Sequence, residues 1–202
     1  MINKLFRFTF LFFALYVFIL FSCNSNYTIG KKKGYFKIDF PDKKYQSFDQ
    51  PGYPYTFEYP VYSNIVKDTT FFEDKPENPW WINIDVPKFN GRIYISYKEI
   101  SSRNKFDSLV NDAVKMAYKQ HVNVATGITD SLMQTPNGVE GIYFSLAGNT
   151  ATANQFFLTD STRHFLRGAL YFDATPNEDS LSIVNDFLKQ DIKHLINTLK
   201  WK

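Results

Sequence analysis

Apolar and polar positions alternate with a period of two in four early stretches: "YFKIDF" (35–40), "YTFEYPVYSNIV" (55–66), "WINIDV" (81–86) and "RIYISYKEI" (92–100). Ile82, Ile84 and Val86 point one way while Asn83 and Asp85 point the other, and Ile93, Ile95 and Tyr97 oppose Tyr94, Ser96 and Lys98. Successive side chains of a strand leave on opposite faces, so each stretch predicts a half-buried strand. The linker "PKFNG" ends in Asn90-Gly91, a strong hairpin signal.

The period then changes to that of a helix. Phe106, Leu109, Val110, Ala113, Val114 and Ala117 form one stripe, with Asn104 as the predicted N-cap, Asp107 in the first turn and an end near His121. Strands return at 124–134, 139–147, 154–160 and 164–173, separated by Pro136-Asn137-Gly138, the small-residue loop "AGNTATAN" and Asp160-Ser161-Thr162. A last helix starts after Pro176-Asn177 and carries Leu181, Val184, Phe187, Leu188, Ile192, Leu195, Ile196 and Leu199. Tight turns rather than crossovers join most strands. The prediction is an α+β domain, a mainly antiparallel sheet flanked by two principal helices. This order resembles the PsbP/Mog1-type fold, and a topology of this kind does not choose a function.

Ahead of the body, Lys4 and Arg7 precede a run that is apolar or aromatic from Phe8 to Phe21 apart from Thr9. That run is shorter than the roughly 20 residues a spanning helix needs, so residues 1–22 read as a cleaved signal peptide. "LFSC" (20–23) resembles a bacterial lipobox, with Leu20 at −3, the small Ser22 at −1 and Cys23 as the residue that takes the lipid. Two or three acyl chains hold a protein at a membrane where one holds it only marginally. Residues 23–34 then read as a lipidated tether, polar and carrying Lys31, Lys32 and Lys33, and 35–202 as a single α+β domain.

Composition narrows the class. Without Lys4 and Arg7 the 23 basic side chains become 21 against 20 acidic ones, so the body has no basic excess of the kind phosphate backbones require, and nucleic acid is not the expected partner. A single cysteine permits no intramolecular disulfide, no CxxC pair and no thiolate zinc cage. Aromatic residues make up 18%, which favours strands and large buried side chains.

The chain has no GxSxG, HExxH, GxGxxG, Walker-type or EF-hand pattern, so neither an enzyme nor a cofactor is predicted. His121, His164 and His194 lie far apart. Asp160, Ser161 and His164 have the residue types of a hydrolytic triad, but within five positions of one turn their side chains do not line up in series. Trp80 and Trp81 in "PWWINIDVP" invite a glycan or peptidoglycan reading through ring stacking. Against it stands the rule that neighbouring strand residues face opposite sides, which places one Trp in the core and the other over a sheet edge. "NQFFLTDSTRHFLRGALYF" (154–172) is a hairpin with apolar faces and a polar tip, Thr159 to His164, and Arg163 and Arg167 are spaced to share one strand face. Such arginines are ordinarily solvated; alternatively they are bidentate anchors for a carboxylate-bearing partner. Asp160, Arg163, His164 and Arg167 are therefore the candidate partner-binding residues.

"KKGYFKIDFP", "YTFEYP", "WINI" with "FNGRIYISYK", the hairpin "QFFLTDSTRHFLRGALYF" and the ending "DIKHLINTLKW" are similar to the GldD family of gliding motility lipoproteins, from bacteria with a type IX secretion system. "PWWINI" stands where the family pattern has Cys-Trp-Ile-Asn, so no role of that cysteine carries over to Trp80. The resemblance implies an outer-membrane-associated, non-catalytic accessory protein whose partners are other envelope proteins of the gliding and secretion apparatus. "NSNYT" behind Cys23 lacks an acidic export signal, which favours the periplasmic face.

Overall fold

Every strand pairing in the described residues is antiparallel, as short connections require. The computed structural model describes residues 37–69, 76–102, 104–119 and 122–202. The signal segment, Cys23, the tether, Tyr35, Phe36 and His121 lie outside the described residues. The elements fall in the compact unit Asp39–Lys202. They are β1 (Tyr45–Phe48), β2 (Tyr55–Pro60), β3 (Asn64–Lys67), β4 (Ile82–Val86), β5 (Gly91–Glu99), α1 (Phe106–Tyr118), β6 (Ala125–Gln134), β7 (Glu140–Gly148), β8 (Asn154–Thr159), β9 (His164–Phe172), α2 (Glu178–Thr198) and β10 (Lys200–Trp201). Seven strands form one sheet in the order β3-β4-β5-β9-β8-β7-β6, and β1-β2-β10 form a second. The predicted class, a mainly antiparallel α+β domain with two principal helices, is the one observed.

The two helices take opposite faces of the large sheet. On one side Leu109, Ala113 and Ala117 of α1 pack on Phe144, Leu146, Phe157 and Phe165. The neighbouring Tyr143 leaves on the other face, where Lys189 of α2 lies over its ring and Asn185 accepts from Asn154 Nδ2 at 3.1 Å. Val184, Leu188, Ile192, Leu195 and Ile196 form the buried stripe of α2. At the centre the Phe156 ring lies across Gly168 of β9, where a Cβ would come within 2.1 Å of the ring; only a glycine lets the ring cross there.

Four local expectations are corrected. Residues 37–40 form no strand, because Pro41 cannot donate to a ladder and Phe40 instead stacks on Phe187 at 4.4 Å between ring centroids. The stretch 55–66 is two strands, since the Pro60 carbonyl accepts from both the amide and the hydroxyl of Ser63 and turns the chain. Helix α1 is capped by Lys105, with no side-chain bond, while the Asn104 amide reaches Glu77 Oε1 at 2.7 Å. Strand β9 begins at His164, so Arg163 belongs to the turn and does not share a strand face with Arg167. The turn at Asn90 and the start of α2 after Asn177 are as predicted: Asn90 is left-handed, and the Asn177 side chain caps the helix by accepting from the Ser180 amide.

Candidate functional site

The tip of the β8–β9 hairpin is organised by one carboxylate. Asp160 Oδ1 accepts from the backbone N–H groups of Thr162, Arg163 and His164 at 3.0, 2.8 and 2.8 Å. Burial works against its charge, but these three donors outweigh it and hold the Asp160 pKa below the usual carboxylate range. Thr159 completes the turn: its hydroxyl donates to the His164 carbonyl and accepts from the Ser161 amide. Ser161 takes a left-handed φ of 62°. The outcome is a rigid turn from which Arg163 stands exposed to solvent.

His164 is buried. Its Nδ1 lies 2.6 Å from the Tyr97 hydroxyl, its Nε2 is 4.0 Å from Asp160 Oδ2, and its ring stacks on Trp201 at 5.0 Å and 10°. A phenol donating to Nδ1 leaves the proton on Nε2, facing the carboxylate. Burial, with a smaller contribution from Arg163, pushes the His164 pKa down despite the opposing pull of Asp160 and Glu99, so the ring is neutral at pH 7. Asp160, Ser161 and His164 thus do not form a relay: the imidazole is engaged by Tyr97.

Tyr97 joins features the sequence shows apart. Trp81 is buried and its indole N–H donates to the Tyr97 carbonyl at 2.7 Å, which Asn78 also caps at 2.7 Å. Those donors occupy the backbone of β5 beyond the point where β4 pairing begins, at Ile82 opposite Ile95. Trp80 is half-buried, meets the Tyr97 ring edge-on at 5.5 Å and donates through Nε1 to the Gly52 carbonyl. Tyr55, donating to the Trp80 carbonyl, closes the group from the small sheet. All three tryptophans of the chain therefore surround the Tyr97–His164 pair. Arg167, by contrast, sits mid-strand and half-buried, and Nη2 donates to Gln155 Oε1 at 2.6 Å.

A second polar cluster went unread in the sequence. Asp191 of α2 is 2% exposed; its Oδ1 accepts from Lys43 Nζ at 2.7 Å and the Tyr45 hydroxyl at 3.0 Å, and its Oδ2 from the Tyr62 hydroxyl at 2.5 Å. Lys43 also donates to the Phe187 carbonyl at 2.8 Å and lies over the Phe187 ring, 3.3 Å from its centroid. Burial lowers the Lys43 pKa against the pull of Asp191, and burial with the Asp191 bond pushes the Tyr45 phenol up to about 12. The signal available was Asp191 itself, a carboxylate three residues after Leu188 and four before Leu195, on the apolar stripe. Nothing in the sequence points to its partners. Among the described residues no group of three His, Cys, Asp or Glu could hold a metal ion, and no helix is long and apolar enough to cross a membrane.

Comparison with known families matches the model described as gliding motility lipoprotein GldD over residues 25–201. Comparison with curated proteins gives no match. Among solved structures the chain is similar to cyanobacterial PsbP (CyanoP) from Synechocystis sp. PCC 6803, at 10% identity and a TM-score of 0.45, with 80% of this chain and 95% of that chain covered.

Proposed function

The chain belongs to the gliding motility lipoprotein GldD family, and from that premise we propose that it is a non-enzymatic accessory protein of the gliding and type IX secretion apparatus. It is anchored by lipid on Cys23, holds residues 35–202 at the periplasmic face of the outer membrane, and acts through protein contacts. The family match over residues 25–201 carries this reading, and it begins two residues behind the lipobox cysteine. The hairpin turn supplies a contact point: Asp160 fixes its backbone, and exposed Arg163 offers a guanidinium fork to a carboxylate on a partner.

Deleting the gene abolishes spreading on agar or type IX secretion, and the Cys23→Ala protein leaves the membrane fraction while still accumulating. Unchanged membrane fractionation of Cys23→Ala removes the anchor from the proposal. Photo-crosslinking probes at 159–167 in living cells report envelope neighbours, and Arg163→Ala reduces that crosslinking without altering the melting temperature.

A further inference from the structure

The two edges of the seven-stranded sheet are built differently. One is β3, four residues long and ending in Lys67. The other is β6, ten residues long, paired only with β7, and its outer backbone groups have no backbone partner among the described residues. Natural sheets blunt such an edge with Lys, Pro, bulges or a covering element, because a row of free N–H and C=O groups is a template for another strand. Strand β6, "ATGITDSLMQ", has no Lys, Arg or Pro. Its register shifts only between Ala125 and Gly127, leaving Gly127 to Gln134 in regular pairing with β7. Its single charge, Asp130, is held by the Tyr118 hydroxyl at 2.8 Å.

A groove runs beside this edge. Between α1 and the sheet lies a cavity of about 870 Å³ whose apolar lining includes Val110, Leu132, Ile142 and Phe157, and whose charged lining among the described residues is Asp107 and Glu140. Leu132 is 87% exposed and stands opposite Ile142 on the α1 side of the sheet. A strand added along β6 sends alternate side chains to that side, where they meet Leu132 and the groove.

We propose that the outer edge of β6 is a docking site for an extended polypeptide segment that carries apolar and basic residues together on the alternate positions facing the α1 side, and that joins the sheet as an eighth strand. Backbone pairing supplies the affinity, and the groove selects the side chains. Asp107, Asp130 and Glu140 favour Lys or Arg on the incoming segment. A second copy of this chain would bring the same three carboxylates against them, so the occupant is a different, basic strand. The inference rests on the reading that the protein works through protein contacts, and names the kind of segment it grips.

The test uses the full-length lipidated protein in detergent micelles and a display library of ten-residue peptides randomised at alternating positions. Enriched peptides carry both apolar and basic residues at the randomised positions. N-methylation of their amides at one parity weakens binding by about tenfold or more, since several backbone bonds are lost together, and at the other parity changes it less than about twofold. Leu132→Glu, with an unchanged circular dichroism spectrum, loses binding, and Asp107→Asn with Glu140→Gln shifts the enriched peptides from basic to neutral. The proposal is overturned by a pool no richer than the Leu132→Glu control, by equal effects of both N-methylation parities, or by a dimer in sedimentation that Leu132→Glu dissolves. A failed screen sinks the edge alone; fractionation of Cys23→Ala and the deletion phenotype judge the accessory-lipoprotein reading separately.

Discussion

Asp160 and Asp191 are both carboxylates set among aromatic rings, and the groups that satisfy them come from opposite extremes of sequence separation. Asp160 takes three backbone donors from the four residues that follow it, so its site assembles wherever this turn forms. Asp191 takes three side chains, of which Lys43 is 148 residues away, Tyr45 146 and Tyr62 129. The first is a property of a peptide; the second exists only in the finished fold. A buried charge facing side chains is exposed to loss of any one partner, whereas backbone donors survive every substitution but proline.

The contrast can be broken by mutation. Asp191→Ala leaves the Lys43 ammonium with the Phe187 carbonyl, the Tyr62 hydroxyl and the Phe187 ring but no counter-charge, and urea melts should show a loss of about 3 kcal/mol, the range for removing one partner of a buried pair. Lys43→Met, which leaves the buried Asp191 carboxylate with two hydroxyl donors and no cation, should cost about as much; a loss below about 1 kcal/mol in both variants would mean that the pair is not the organising contact. Asp160→Ala strips three amides of their acceptor and should cost about 1 to 2 kcal/mol, by analogy with the removal of a helix cap, while Asp160→Asn keeps an oxygen in place and retains most of the stability. A cost for Asp160→Ala above that for Asp191→Ala reverses the comparison.

The smallest effect is a slope with pH. His164 has a lowered pKa when folded, so on acidification the unfolded chain takes up a proton at about pH 6.5, which the folded chain resists. Its contribution is complete above that value and is lost as pH falls through it toward the folded pKa. The thermal midpoint of the wild-type protein should therefore drop more between pH 7.5 and 5.5 than that of His164→Gln. Parallel curves for the two would show that the Tyr97–His164 contact tolerates the proton.

What was legible in the sequence follows the same division. The Asn90 turn, the start of α2 after Asn177 and the α1 stripe are decided within a few residues, and the alternating runs of β4 and β5 appear where their periodicity puts them. The hairpin tip was legible as a polar turn, but its His164 was not legible as a buried one, because its ring is covered by Tyr97 and Trp201 from elsewhere in the chain. Strand β1 escaped because its sequence, YQSF, lacks a clean alternation and its pairing with β2 supplies the order. Strand β10 has two residues and no local signature; it exists through pairing with Thr56 and Tyr55. Periodicity likewise marks β6 as a strand without showing that it lies at an edge, since position in a sheet is a tertiary property.

The Lys43–Asp191 contact also sets an order of assembly. Contacts that close the longest loops form last, because their entropy cost precedes their reward. A chain emerging from its N-terminal side can complete the β4–β5 hairpin early, but it carries Lys43, Tyr45 and Tyr62 without their carboxylate, and β2 without β10, until α2 has been made. During that interval the aromatic face that will receive α2 is open to water, to chaperones and to proteases. Arrival of α2 buries the Lys43 ammonium, and β10 directly behind it completes the small sheet, so both features depend on residues 178–202.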